Sequence, residues 1–228
     1  MCKIALISGT RTGIGKELAL HLLGQGFTVV GCSRGGGDIE HREYMHYNCD
    51  VSKEHQVIEM CRDVATRYGR IDVLINNAGI ASMNHLLLTP TETAIRVMET
   101  NYIGSFLFTR EVGKIMARKK HGRIVNMTTV ARALNLEGEA VYASSKAAVE
   151  TLTQISAIEL APLGITVNAL GVSPFPSNLT RAVPEESMER LIERQAIKRV
   201  ATIGDITNVV DFFINDDSAF VTGQIVYL

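Results

Sequence analysis

Two hydrophobic rhythms alternate along this chain. Lys3–Ser8 (KIALIS) is a short apolar, partly β-branched run and reads as a buried strand. From Lys16 to Gln25 the apolar residues Leu18, Ala19, Leu22 and Leu23 fall on one helical face, and Gly26 ends the pattern. Phe27–Cys32 (FTVVGC) is a second strand. The exchange then repeats, with strands expected at Tyr44–Cys49, Ile71–Ile75, Gly122–Thr128, Ile165–Leu170 and Gln224–Leu228. Helices are expected between them: from an N-cap at Ser52 to Tyr68, from Pro90 and Thr91 to Lys120, over 140–161, from Pro184 through Met188 and Ile192, and over Thr202–Ile214. Continued strand–helix alternation predicts one α/β unit over residues 1–228, a doubly wound, mainly parallel sheet of seven strands with helices on both faces. Two places break the rhythm. Asn101, a poor helix former, sits in mid-helix and predicts an irregularity there. Gly171–Pro184 holds three prolines, and the stretch at about 172–200 reads as a substrate lid.

Between the first strand and its helix stands Gly9-x-x-x-Gly13-x-Gly15, with Arg11, Thr12 and Ile14 inside it. Glycines here allow a tight turn and a close backbone approach to a diphosphate at a helix N-terminus. The spacing is not G-x-G-x-x-G, but the β–loop–α–β context is that of a Rossmann-like dinucleotide site. At the end of the second strand, where the ribose is read, the chain carries Ser33-Arg34, twenty-one residues after Gly13. Arg34, with Arg11 as a second cation, suits the 2′-phosphate of NADP. NAD is the alternative, because Asp38 can reach back on its Gly35-Gly36-Gly37 tether. Asn76-Asn77-Ala78-Gly79 follows the fourth strand, as a loop lining a ligand crevice does. Tyr142 and Lys146 are four residues apart and share a helix face. An ammonium beside a phenol lowers the phenol's pKa, which suits proton transfer.

Taken together and in order, Gly9 to Gly15, Asp50-Val51, Asn76 to Gly79, mid-helix Asn101, Tyr142-x-x-x-Lys146 and Thr222-Gly223-Gln224 resemble the short-chain dehydrogenase/reductase family over nearly the whole length. The resemblance implies that Tyr142 is the general acid in carbonyl reduction and the base in alcohol oxidation. Lys146 would lower the Tyr142 pKa and hold the nicotinamide ribose, and Asn101 would anchor a proton-relay water. Asp50 and Val51 would lie at the adenine, and Asn77, Ala78 and Gly79 along the adenosine side. Three departures stand out. Thr129 occupies the place of the family's usual Ser, thirteen residues before Tyr142, and keeps the hydroxyl. Val172-Ser173 replaces Pro-Gly, with Ser177 where a Thr contacts the carboxamide. The sequence ends at Tyr227-Leu228, where many relatives continue with a glycine-containing tail that supports subunit packing.

Composition narrows the reading. With 228 residues, 46% hydrophobic and 21% charged, the chain is long and apolar enough for a sizeable core. A net charge of −1 and no basic run longer than Arg118–His121 argue against nucleic acid or an anionic membrane as partner. Four cysteines without C-x-x-C spacing fit a reducing cytoplasm. Six scattered histidines predict no metal site, and no apolar run reaches a membrane-spanning length. The expectation is therefore an NAD(P)-dependent oxidoreductase, NADP favoured, acting on a small-molecule carbonyl or secondary alcohol. Among relatives, 3-oxoacyl-thioester reductases look similar. Phe175, Leu179, Val183, Met188, His85, Leu86 and Leu87 suggest a partly apolar pocket. The family's habit implies a homodimer or homotetramer through the helices at 91–120 and 140–161. The alternative from another class is a non-catalytic nucleotide-binding regulator or assembly protein on the same fold.

Overall fold

The computed structural model describes residues 2–176 and 185–228, apart from the side chains at 185 and 187. Seven strands form one sheet: β1 (Ile4–Ser8), β2 (Thr28–Ser33), β3 (Tyr44–Asn48), β4 (Val73–Asn76), β5 (Gly122–Thr129), β6 (Ile165–Val172) and β7 (Ile225–Tyr227). Their order is β3-β2-β1-β4-β5-β6-β7, and every pair is parallel. β1, β4, β5 and β6 are buried along their whole length, which is why they read as continuous apolar runs rather than alternating ones.

Both faces are covered. Along β1, Ile4 and Leu6 point to one face and Ala5 and Ile7 to the other, as the two-residue period requires. The first face packs on α2 (Glu54–Tyr68), α4 (Gly104–Lys119) and α6 (Ala140–Leu160) around Leu74, Phe108 and Met116. The second packs on α1 (Gly13–Gly24) and α8 (Ile203–Ile214) around Leu18, Leu22, Val210 and Phe213. Each large side chain so buried contributes roughly 1.5–3 kcal/mol. Cys32, Cys49 and Cys61 belong to the first core, and all four cysteines are free thiols. Among the described residues no helix is long and apolar enough to cross a membrane, and no cluster of ligating side chains could hold a metal ion.

Three elements differ from the sequence reading, and a fourth takes the irregular form expected of it. Ser52 does not cap α2. Its N–H and hydroxyl donate to Asp50 Oδ1 at 3.0 and 2.8 Å, and the helix starts at Glu54. Residues Val130–Leu134 form a helix, α5, where a loop was expected, because the Thr129 hydroxyl caps it by accepting from Ala131 N. β6 continues to Val172, which pairs with Thr129. Without the Pro-Gly of the family pattern, nothing stops the strand at Leu170. The long helix after Pro90 is α3 (Thr91–Met98), then a π-helical turn over Glu99–Ile103, then α4. The irregularity expected at Asn101 is this π-turn. The last helical elements are α7 (Glu185–Arg194) and α8, which Thr202 and Asp205 open with a reciprocal capping box.

Candidate active site

The carboxyl ends of the strands open onto one cavity of about 1220 Å³. It straddles β1 and β4, where the strand order reverses and ligands of open α/β sheets bind. Gly9, Arg11, Thr12, Gly13 and Ile14 line one end. Gly9 and Gly13 adopt φ of 77° and 62°, a left-handed backbone natural only to glycine. Gly15 has a different reason: a Cβ there would lie 2.2 Å from Gly9 O and 2.3 Å from Asn77 Nδ2. Asn77 clamps this loop, donating from Nδ2 to Ser8 O at 2.9 Å and to Gly9 O at 3.2 Å. Its amide is thus committed to the protein. Its lining of the cavity comes from the remainder of the residue, beside Ala78 and Gly79.

At the end of β2, Ser33, Arg34 and Gly35 line the cavity with Asp50 and Val51 opposite. A half-buried hydrogen-bond chain runs here, from Thr10 Oγ1 to Tyr44 OH (2.8 Å), to His46 Nδ1 (2.7 Å), and from His46 Nε2 to Ser33 Oγ (2.9 Å). Burial acts to raise the Asp50 carboxyl, but hydrogen bonds from Ser52 and the charge of Arg34 outweigh it and hold the group below its usual value. Asp38 does not reach back toward this end. Its Oδ2 accepts from Lys16 Nζ at 2.7 Å, and that bond holds its pKa low.

At the other end Thr129, Tyr142 and Lys146 share one wall. Thr129 closes β5, and its hydroxyl accepts from Ala131 N at 3.2 Å. Tyr142 and Lys146 stand one turn apart on α6, both buried. Lys146 Nζ donates to Met127 O at 2.8 Å. Burial pushes Tyr142 up to about 12, the nearby Thr129 hydroxyl acts in the opposite direction, and the Glu139 charge adds to the rise. Burial alone pushes Lys146 down to about 8. The expected lowering of the phenol by the ammonium is therefore not met in the free protein. Desolvation dominates both groups, and the ammonium spends a hydrogen bond on a main-chain carbonyl.

Asn101, fully buried in the π-turn, accepts from Ile80 N at 2.9 Å and donates to Ile80 O and Ser145 Oγ at 3.0 and 2.9 Å. A Cβ on Gly79 would lie 3.3 Å from Asn101 Oδ1 and 3.4 Å from Lys146 Nζ, so these three residues meet. Asn101→Ala is expected to cost about 2–3 kcal/mol, since it leaves the N–H and C=O of half-buried Ile80 without these partners and takes one of two hydrogen bonds from the Ser145 hydroxyl. A urea denaturation midpoint unchanged from the parent would contradict this clamp.

Two carboxyls here escaped the sequence reading. Glu150, one turn beyond Lys146 and almost wholly buried, accepts from Thr128 Oγ1 (2.9 Å), Tyr227 OH (2.6 Å) and Arg132 Nε (2.9 Å). Its signal was an acidic residue continuing the 142, 146 face. Glu139 lines the cavity three residues before Tyr142, and burial raises it to about 7. Val172 also lines the cavity, and the Ser173 hydroxyl next to it donates to Leu228 O. Met83, His85, Leu136, Phe175, Met188 and Leu191 form the less polar end. Leu86 and Leu87 are exposed and lie outside this lining, contrary to expectation. Ser177, Leu179 and Val183 lie outside the described residues.

Comparison with known proteins gives concordant matches. A family model described as enoyl-(acyl carrier protein) reductase matches residues 9–228. The 3-oxoacyl-[acyl-carrier-protein] reductase FabG of Staphylococcus epidermidis is 33% identical, covering 100% of this chain and 98% of that protein. The (2S)-[(R)-hydroxy(phenyl)methyl]succinyl-CoA dehydrogenase subunit BbsD of Thauera aromatica is also 33% identical, over 99% of this chain and 94% of its own. The solved structure of ElxO with NADP bound superposes with a TM-score of 0.92 at 29% identity, covering 100% of this chain and 97% of that one.

Proposed function

This chain belongs to the short-chain dehydrogenase/reductase family, and on that premise we propose that it is an NADP-preferring reductase of 3-oxoacyl thioesters or closely related carbonyl compounds. It is an NAD(P)-dependent oxidoreductase. The observation that carries the reading is the meeting of Thr129, Tyr142 and Lys146 on one cavity wall, with a glycine cradle at the far end of the same cavity.

The nicotinamide cofactor supplies the hydride. The chain's own residues do the rest. The Tyr142 phenol, kept protonated by burial, gives its proton to the carbonyl oxygen as charge develops there. The Thr129 hydroxyl holds that oxygen in place from the end of β5. Lys146 holds the ribose of the cofactor and stands ready to reprotonate the phenol. Asn101 acts as a positioning residue, fixing the turn at Gly79 and Ile80 against Lys146. For the water-anchoring role implied by the resemblance, its Oδ1 and its main-chain carbonyl, which accepts from Ser105 Oγ at 2.7 Å, each keep a lone pair. Gly9, Gly13 and Gly15 let the diphosphate approach the backbone at the start of α1. Val172, at the end of β6, would flank the nicotinamide in this reading.

The 2′-phosphate would be met by Arg34, with Arg11 nearby, while Asp38 stays with Lys16. Arg34→Ala is expected to weaken NADPH roughly 10–100-fold, the worth of a charge-assisted hydrogen bond. NADH should be little affected. Titration of both cofactors checks this, and equal losses would remove Arg34 from the role. The activity itself is tested by following NADPH oxidation with a panel of 3-oxoacyl thioesters and simple ketones. No turnover of any of them by folded, NADPH-binding protein would sink the proposal.

We take residues 1–228 as one catalytic unit; of the lid expected at 172–200, residues 177–184 lie outside the described residues, and we place the described part after 185 at the substrate end. The contact from Arg194 to Leu134 O at 2.7 Å supports this, since it ties α7 to α5 beside the cavity. Homodimers or homotetramers built on the helices at 91–120 and 140–161 are supported by the exposed Ile95 on α3 and Ile155 and Ile158 on α6. We also propose a cytoplasmic location, which the four free thiols and the similarity to bacterial 3-oxoacyl-[acyl-carrier-protein] reductases support.

A further inference from the structure

Glu139 is a cavity carboxyl for which the steps above have no use. It stands at the N-terminal boundary of α6, three residues before Tyr142, and lines the cavity beside Thr129 and Tyr142. Its main chain is engaged: its N–H donates to Leu136 O at 3.3 Å and its carbonyl accepts from Ala143 N at 2.7 Å. Its side chain caps nothing, and its Oε2 is shut away from solvent without a hydrogen-bond partner. The other ionisable groups lining this end are Tyr142, Lys146, Glu137, His85, Arg190 and Arg194. None of them bonds Glu139 among the described residues. Lys146 is turned to Met127 O and Arg194 to Leu134 O.

A buried oxygen left unpaired costs free energy, so one in a binding cavity marks a place where a ligand can supply the partner. The form of the carboxyl decides which kind of partner. With no cation beside it, burial favours the neutral acid and raises the group to about 7. Near neutrality much of the protein therefore presents an O–H, which needs an acceptor.

We propose that neutral Glu139 donates a hydrogen bond to a second carbonyl of the substrate, so that the site selects 1,3-dicarbonyl compounds over ketones lacking that oxygen. The inference rests on the reading in which Tyr142 and Thr129 hold the carbonyl being reduced. Residues three apart on a helix are neighbours, so a carbonyl at Tyr142 leaves Glu139 near the next one along the chain. A 3-oxoacyl thioester carries such an oxygen, in the thioester carbonyl. A deprotonated Glu139 would repel it. The selectivity is present below about pH 7, where Glu139 is neutral, and is lost above it.

The test compares two isomers on one handle, the 3-oxohexanoyl and 5-oxohexanoyl thioesters of N-acetylcysteamine, as a ratio of kcat/KM that cancels titrations common to both. In the parent the ratio is expected to fall as pH rises from 6 to 8. Glu139→Ala should lower it about tenfold at pH 6, the worth of one hydrogen bond. Glu139→Gln, whose amide donates at every pH, should keep the ratio and remove its pH dependence. Equal losses for both isomers in Glu139→Ala, or a parent ratio flat across this range, overturn the proposal. NADPH binding by each variant confirms that it folds, and should Glu139→Ala fail to fold, the pH profiles of parent and Glu139→Gln decide alone. A Tyr142→Phe protein that reduces either isomer at the parent's rate would instead overturn the underlying catalytic reading.

Discussion

Tyr142→Phe should lower carbonyl reduction by roughly 10²–10⁴-fold, the usual contribution of a positioned general acid, while NADPH still binds. The reasoning starts from burial. The phenol is buried on α6 beside the Thr129 hydroxyl, and desolvation holds its pKa at about 12. Across the neutral range it is a proton donor waiting for an acceptor, which is what reduction requires. Removing one oxygen leaves the ring to fill the same space, so packing and the glycine cradle are undisturbed and cofactor affinity is an internal control. Single-turnover NADPH oxidation in the presence of excess substrate makes the measurement. A variant that turned over at the parent's rate with unchanged affinity would leave Tyr142 no part in the chemistry.

The second large effect is expected at Gly15. In Gly15→Ala the new methyl would stand 2.2 Å from Gly9 O and 2.3 Å from Asn77 Nδ2. Neither neighbour can retreat cheaply. One is main chain in a left-handed turn, and the other is an amide that holds that turn through Ser8 O and Gly9 O. The loop must open, and the close approach of backbone to diphosphate is lost with it. NADPH affinity is expected to fall by about 100-fold or more, corresponding to roughly 3 kcal/mol, with a lowered Tm. Gly24→Ala is the matched control, because a Cβ there meets nothing within 4 Å. It should gain about 0.5–1 kcal/mol from the better helix former. If both variants bind NADPH like the parent, the Gly9–Gly15 loop is not the cradle.

These two expectations also mark what the sequence disclosed. The strand–helix rhythm was legible because each buried parallel strand is a plain apolar run, and the glycines were legible because backbone demands are written in residue identity. At the site, Tyr142 and Lys146 stood out by their spacing, whereas the parts given to Thr129 and Asn101 came from the family resemblance. What stayed hidden depends on which groups meet across the fold. Asn77 looked like a ligand contact, yet its amide is spent on the loop. Asp38 looked able to reach the ribose, yet Lys16 holds it. The Tyr142–Lys146 spacing suggested a phenol pulled down by a cation, whereas burial, which spacing does not report, moves the phenol up and the ammonium down. The partners of Glu150 come from β5, α5 and β7, three elements that no local window joins.

The π-turn at Glu99–Ile103 carries a consequence of another kind. A π-turn is an α-helix with one residue too many, and one residue is about 100° of rotation. The extra unit therefore acts as an angular offset between α3 and α4, and it is what turns Asn101 inward to Ile80 and Ser145 while Phe108 and Met116 still face the core. Deleting any one residue of the turn would let an unbroken α-helix form, and the two halves could then no longer both be in phase with their neighbours. Here the alignment of the site is stored as a count of residues, which no single substitution can either supply or erase.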